Sequence, residues 1–311
     1  MGKDDYLQNF YNICTKKQNK EIEISWEDIA LKFGFKDAET ARQKWKKHRK
    51  KIGLLESKDS QRILIISDQH IPFQLDNLLD VYGTYKDKVD ILIFNGDEQD
   101  CQSISKFLKK YRLPFVDELI QTREFIIKTI NIIKPKKIFF NYGNHNKRFI
   151  TYMSDKLNED ILELMPDTNL ELIIEDGFYK KDRFNGTKTY YEPLNKIIKN
   201  IEYTHNWYNQ IGDMTICHPS AYKSGILKTA EQAWLYFLQK GFTFNCLILS
   251  HTHASGFFKY GDGYIYEIGS SCKEMDYTKE GRLSRPQSNG MFYCVLEDGK
   301  FNYEKSKLIV L

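Results

Sequence analysis

The stretch KKIFFNYGNH, residues 136–145, decides how the chain is read. Its first half, KKIFF, is an apolar run of the kind that forms a buried strand. Its second half puts Gly143, Asn144 and His145 on the strand's tip, and Asn146, Lys147 and Arg148 follow. A turn explains Gly143 and Asn144. It does not explain an imidazole and a guanidinium arriving with them. The same grammar recurs on both sides. RILIISDQH (62–70) ends in Asp68 and His70, and DILIFNGDEQD (90–100) ends in Asp97 and Asp100. MTICHPS (214–220) ends in His218, and CLILSHTH (246–253) ends in His251 and His253. Helical segments fit between them, including FVDELIQTREFIIKTINIIK (115–134) and GILKTAEQAWLYFLQK (225–240). Such alternation predicts an α/β protein, in which ligands gather beyond the strand C-termini.

Each tip alone reads as an ordinary turn. Five in succession do not: Asp-x-His, Gly-Asp, Gly-Asn-His, His and His-x-His. Carboxylate and amide oxygens mixed with imidazoles suit manganese, iron, zinc or magnesium rather than a thiolate-held structural zinc. There are enough donors for two ions.

In this order, Asp68-x-His70, Gly96-Asp97-x-x-Asp100, Gly143-Asn144-His145, His218 and Ser250-His251-x-His253 resemble the calcineurin-like metallophosphoesterases, over roughly residues 62–311. That superfamily includes phosphatases, cyclic-nucleotide phosphodiesterases and nucleases. The resemblance implies a four-layer αββα sandwich of two mixed sheets. FFKYGDGYIYEIGSS and MFYCVLEDGKFNYEKSKLIVL are then expected in the second sheet. It implies two divalent ions, manganese favoured, with magnesium, iron, zinc and nickel as alternatives. Asp68, His70 and His253 would hold the first; Asn144, His218 and His251 the second; Asp97 would bridge. Two cations about 4 Å apart can hold a hydroxide and a phosphoryl oxygen together for in-line attack. A neutral Asn144 keeps the centre positive, which favours an anionic substrate. His145 would bind phosphate or give a proton to the leaving oxygen, and Arg148 would contact phosphate. Two positions depart from the pattern. Asn146 stands where relatives usually carry Asp or Glu, and Ser250 where many carry Gly. The acid beside His145 is thereby lost, and Asp100 is the expected substitute.

The first 58 residues form the other half of the argument. They hold 14 Lys and Arg against 9 Asp and Glu, whereas the remaining 253 hold 32 against 33. The chain's surplus of +4 is therefore N-terminal. Three helices are predicted: 4–17, 25–35 opened by Ser25 and Asp28 and closed at Gly34, and 37–53 opened by Asp37. Two helices across a tight turn behind a leading helix resemble a helix-turn-helix. The last helix, with Arg42, Lys46, Lys47, Arg49 and Lys50, would face phosphates. The predicted organisation is a basic helical domain, 1–58, and a catalytic domain, 59–311, with GLLESKDSQ (53–61) as linker.

Composition narrows the classes. With 41% hydrophobic and 14% aromatic residues the chain can build a large core. Apolar runs such as IIKTINII fall far short of a membrane span of about 20 residues. The start, MGKDDYLQNF, carries no signal-peptide pattern. Six scattered cysteines without a CxxC pair read as buried reduced thiols, hence a cytoplasmic protein. Abundant Lys, Ile, Asn and Tyr point to an AT-rich bacterial or phage genome. The expected activity is a metal-dependent nuclease or phosphodiesterase acting on DNA. The alternatives are a small-molecule, cyclic-nucleotide or phosphoprotein phosphatase, and a DNA-binding regulator with a weakly active esterase body. Oligomeric state stays open, a dimer included. The polar stretch 180–200 reads as a surface loop, His205 as structural, and Trp207 and Tyr208 as core packing.

Overall fold

The computed structural model describes residues 3–18, 22–51, 60–106, 112–275 and 286–311. The chain divides into two compact units, Met1–Ser60 and Gln61–Leu311. The expected linker, 53–61, falls almost wholly outside the described residues, and Ser60 and Gln61 already belong to the first strand.

The first unit contains α1 (Lys3–Gln18), α2 (Trp26–Lys32) and α3 (Ala38–Lys51). Local chemistry sets the helix ends. Ser25 Oγ accepts from Asp28 N at 3.0 Å while the Asp28 carboxylate accepts from Ser25 N, a reciprocal cap worth about 1 kcal/mol. Gly34 follows α2 at φ +59°, a left-handed stop that favours glycine. Asp37 Oδ1 caps α3 by accepting from Thr40 N at 2.7 Å. Phe10, Cys14, Ile29, Ala30, Phe33, Ala41 and Trp45 form the core. Ala41 and Trp45, four apart, turn one face of α3 inward and leave Arg42, Lys46 and Lys47 exposed. Arg49 and Lys50 continue the helix, and their side chains lie outside the described set.

The second unit is a four-layer sandwich. One sheet runs β13 (Lys300–Phe301), β12 (Gly290–Glu297), β1 (Ser60–Ile66), β2 (Ile91–Asn95), β3 (Lys137–Asn141), β6 (Ile201–Tyr203), with β14 (Lys307–Val310) also on β12. The other runs β10 (Ser255–Tyr260), β11 (Gly263–Ile268), β9 (Cys246–Leu249), β8 (Met214–Cys217), β7 (Tyr208–Ile211). The alternation of side chains along a strand explains the layering. Ile63, Ile65, Ile91, Ile93 and Phe139 face Met214, Ile216, Cys246 and Ile248 between the sheets. Leu64, Ile66, Leu92, Phe94 and Phe140 point the other way, under α4 (Leu78–Gly83) and α5 (Phe115–Ile133). Cys217, Leu247 and Leu249 pack against Ala233, Trp234 and Phe237 of α10 (Lys228–Gln239). Each fully buried Ile or Leu contributes roughly 1.5–3 kcal/mol. Shorter helices α6 (Arg148–Ser154), α7 (Glu159–Leu162), α8 (Asn169–Glu171) and α9 (Leu194–Ile197) lie between β3 and β6.

Two expectations need correction. MFYCVLEDGKFNYEKSKLIVL does not join the second sheet; its strands β12 to β14 complete the first, beside β1. β12 is apolar on both faces, with Met291 under the helices and Phe292, Cys294 and Leu296 between the sheets, so it occupies an interior position. Residues 180–200 are not a plain loop either. β4 (Phe178–Lys181) and β5 (Lys188–Tyr191) form a hairpin, because Phe178 and Tyr191 stack at 5.0 Å and give it an inner face.

Candidate metal centre

Parallel pairing brings five strand ends together. β1, β2 and β3 run parallel in one sheet, β8 and β9 in the other. The loops beyond them stay in register: Asp68 N donates to Gly96 O at 3.1 Å and His70 N to Asp97 O at 3.0 Å. Beneath them lies a buried amide bridge. Phe94 and Phe140 stack at 4.5 Å, which sets Asn95 opposite Asn141. Asn141 Nδ2 donates to Asn95 Oδ1 at 2.8 Å. Asn95 Nδ2 donates across the sandwich to Cys217 O at 2.9 Å and Ser250 Oγ at 2.8 Å. Ser250, where relatives often have Gly, thus fastens one sheet to the other. Sequence reading missed this bridge, although both strands end in Phe-Asn.

The candidate ligands sit on strained backbone. Asp68, His70, Asp97, His251 and His253 have φ of 52°, 46°, 57°, 83° and 51°. Left-handed geometry costs a non-glycine residue about 1–2 kcal/mol, least for Asn and Asp. Gly96 (φ +86°) needs its freedom. Gly143 needs only space: a Cβ there would lie 2.1 Å from Asp97 Oδ1 and 2.8 Å from His218 Nε2.

Six of the expected ligands converge: Asp68, His70, Asp97, His218, His251 and His253. His253 Nε2 lies 3.2 Å from Asp68 Oδ1 and 3.0 Å from His70 Nε2. Asp97, His218 and His251 present ligand atoms within 4.8 Å of one another. Asp97 also groups with His70 and His145, so it stands between the two clusters. The donors are oriented as metal-binding imidazoles usually are, with the far nitrogen held. His218 Nδ1 donates to Asn95 O at 2.7 Å, and His70 Nδ1 to Asp100 Oδ1 at 3.2 Å. Asp68 Oδ1 and His218 Nε2, which face the cluster, are buried without an aligned hydrogen bond, and so is Asn144 Oδ1. His218 Nε2 is 3.2 Å from Asp97 Oδ2, a charge contact rather than a hydrogen bond. Buried unpaired polar atoms cost about 1–3 kcal/mol each, so this donor set fits divalent cations. Cys272, which sequence reading passed over, brings its thiol within 4.8 Å of the His70 and His253 donors.

Electrostatics follow the geometry. Burial works against charge on His218, yet Asp97 and Asp68 raise it to about 9, so a cation here competes with a proton. Burial, aided by His218, lowers His251 to about 4. Burial opposes the Asp100 carboxylate, but hydrogen bonds from His145 and His70 hold it well below the usual range.

Asp100 does face His145. His145 Nδ1 lies 2.9 Å from Asp100 O and 3.3 Å from Asp100 Oδ1. Arg148 Nη1 donates to Asp100 O at 2.8 Å, and Arg148 Nη2 stands 2.7 Å from His145 Nε2. Burial lowers His145 to about 4, leaving it neutral. Asn146 faces elsewhere. Its Oδ1 accepts from Asp97 N at 3.0 Å and Gly143 N at 2.7 Å. Its Nδ2 donates to Glu98 Oε2 at 3.2 Å and Asn169 Oδ1 at 3.1 Å. It therefore pins the β2 loop to the β3 loop. Glu98 is buried, and desolvation raises it to about 7. His205 lies outside the centre, 3.1 Å from Glu175 Oε1, and Trp207 and Tyr208 pack on Phe237.

A sandwich with acids and imidazoles converging from five strand tips defines a metal-dependent phosphoester hydrolase. The family model for calcineurin-like phosphoesterases matches residues 61–255, and the chain belongs to that family. Among solved structures it is similar to an archaeal phosphodiesterase, at 17% identity and TM-score 0.40, covering 80% of this chain and 99% of that one. A metallophosphoesterase from Sphaerobacter thermophilus shows 16% identity and TM-score 0.38, covering 81% and 88%. Vacuolar protein sorting 29 from Cryptosporidium parvum shows 12% and 0.39, covering 81% and 98%. No curated protein matches the chain. No helix among the described residues is long and apolar enough to cross a membrane.

Proposed function

We propose that the chain hydrolyses phosphodiester bonds of nucleic acid, DNA foremost, at a centre of two divalent cations in the cytoplasm. The observation that carries the substrate class is a cleft of about 490 Å³ that opens at Asn144. Among the described residues, Lys106, Arg112, Arg148 and Lys156 line it against a single acid, Asp155, which pairs with Lys106 at 3.5 Å, and Tyr152 lies alongside. A phosphomonoester needs no such basic extension, whereas a polyanion gains from one. The three-helix unit supports the reading through the exposed cations of α3, which we assign to DNA docking.

Asp68, His70 and His253 would hold one cation, and Asn144, His218 and His251 the other, with Asp97 shared. Manganese is favoured by the mixed oxygen and nitrogen donors. Bound there, the cations lower the pKa of water and neutralise charge on the phosphoryl oxygens. The chain's own groups do the rest. Arg148 orients the phosphoryl group from the cleft. Asp100 fixes His70 and His145 from one carboxylate. Burial holds His145 neutral, with Arg148 on its Nε2. An anionic phosphoryl group beside Nε2 favours the imidazolium, which would take the proton released by the attacking water and hand it to the leaving oxygen.

Linear duplex, single-stranded and circular DNA, assayed with Mn²⁺, test the proposal against His145→Ala. Cleavage by the wild type, reduced at least about 100-fold in the variant, is expected. Hydrolysis of small phosphate esters with every nucleic acid left intact would make the chain a phosphatase instead.

A further inference from the structure

We propose that the β4–β5 hairpin is a platform for single-stranded nucleic acid, outside the metal centre. The proposal rests on the nucleic-acid reading of that centre and extends it. The register is Tyr179 opposite Tyr190 and Lys181 opposite Lys188. Alternation then sorts the faces. Phe178 and Tyr191 turn into the core of the unit. Tyr179, Tyr190, Lys181 and Lys188 take the other face. Tyr179 is 61% exposed, Tyr190 46%, and Phe184 at the tip fully so. The two tyrosine rings stand 4.8 Å apart.

Two features of this face work against the folded hairpin by itself. Like charges directly opposite on paired strands destabilise them. Neither Lys181 nor Lys188 makes an ion pair among the described residues, and nearby Asp182 is engaged by Phe184 N and Asn185 N. Large aromatic faces are also left in water on a two-stranded ribbon. A ligand with regularly spaced negative charges and flat apolar faces answers both. Single-stranded nucleic acid has this chemistry, through phosphates and unpaired bases. A duplex hides its base faces.

The ribbon is fastened to α5, whose first residue packs on α6, a wall of the cleft. Lys180 Nζ binds Asp117 Oδ1 at 2.6 Å, and Arg123 donates to Glu192 O at 2.7 Å, both on α5. The first residue of α5, Phe115, stacks at 5.4 Å on Phe149 of α6, next to Arg148. A strand held on the platform is thereby presented near the catalytic cleft.

The test uses the full chain carrying Arg42→Gln, Lys46→Gln and Lys47→Gln, so that α3 does not mask the hairpin. Anisotropy of a labelled dT 12-mer reads binding, and hydrolysis of bis(4-nitrophenyl) phosphate reads the centre. Tyr179→Ala with Tyr190→Ala should weaken binding about 25-fold, from roughly fivefold per lost stack. Lys181→Gln with Lys188→Gln, which keeps the aromatic pair, should lower the salt slope by about 1.4. A matching duplex should bind more weakly, and ester hydrolysis should not change. Variants that bind the 12-mer like their parent would overturn the platform and leave the nucleic-acid reading standing. A parent that hydrolyses the ester but binds no oligonucleotide overturns the platform, and a wild-type chain that binds none either overturns the nucleic-acid reading with it. Failure to hydrolyse any ester removes the phosphoesterase reading itself.

Discussion

Replacing Asn146 by Asp restores the residue type the family usually carries, yet it should destabilise this protein, and more so at high pH. Asn146 Oδ1 accepts two backbone N–H groups, and an aspartate oxygen does the same. The other atom changes sign. Where Nδ2 donates to Glu98 Oε2 at 3.2 Å, a carboxylate oxygen would meet a carboxylate. Two charges that close repel by about 5 kcal/mol at an effective dielectric of about 20. The buried pair therefore keeps one proton, nearly four pH units longer than an isolated acid would. Wild-type Glu98, raised to about 7, already keeps its proton below that pH. Between about pH 5 and 7 both folded proteins thus hold one proton more than their unfolded chains, and the stability gap is constant. Its size is about 1 kcal/mol, for the lost hydrogen bond to Asn169. Above pH 7 only the variant still holds the extra proton. A raised folded pKa means stability that is lost as pH rises. The gap opens by about 1.4 kcal/mol per pH unit until the pair itself ionises near about pH 8, adding roughly 1.5 kcal/mol. Urea unfolding of both proteins in chelator, at each pH from 5 to 9, measures it. A gap that stays level from pH 7 to 9 would refute the placement of Asn146 against Glu98.

Gly143→Ala pushes a methyl group into Asp97 Oδ1 and His218 Nε2. It should lower bound metal, by elemental analysis, and turnover at least about 100-fold while circular dichroism stays native; full metal content would refute the steric account. Asp90, bound by Arg62 Nε at 2.9 Å and Lys136 at 2.8 Å, is held below the usual carboxylate range, chiefly by the Arg62 hydrogen bond. A depressed acid stabilises above its unfolded pKa, about 3.9, and that stability fades as pH falls further. Asp90→Asn should cost about 1–2 kcal/mol at pH 7 and about a third of that at pH 2, by thermal unfolding in chelator; equal losses at both would exclude the ion pair.

The strands and their order of chemistry were legible because apolar runs and polar tips are local signals. KKIFF and CLIL read as buried strands, and His70, Asp97 and His251 could be named from their place after such runs. What two parallel strands share was not legible. Asn95 and Asn141 look like turn residues until the register sets them opposite each other. Gly143 read as a bend, whereas its backbone is ordinary and the crowding around it comes from Asp97 and His218, distant in sequence. β12 was expected in the wrong sheet, since a strand apolar on both faces suits either. The paired tyrosines of 179 and 190 gave no hairpin signal, because the stabilising contact is the inner stack of Phe178 on Tyr191.

The left-handed backbone at five ligand positions changes what an alanine scan measures. At Asp68, His70, Asp97, His251 and His253, alanine removes a donor and also places a residue ill-suited to that backbone where a tolerant one stood. Alanine is therefore no neutral reference there, and a loss of stability would be mistaken for a role in binding. Asparagine, at home in that geometry, is the cleaner substitute at the acids. Glycine can separate the two effects at all five: it removes the donor while relieving the backbone. Under this reasoning a glycine variant without metal should unfold later than its alanine counterpart.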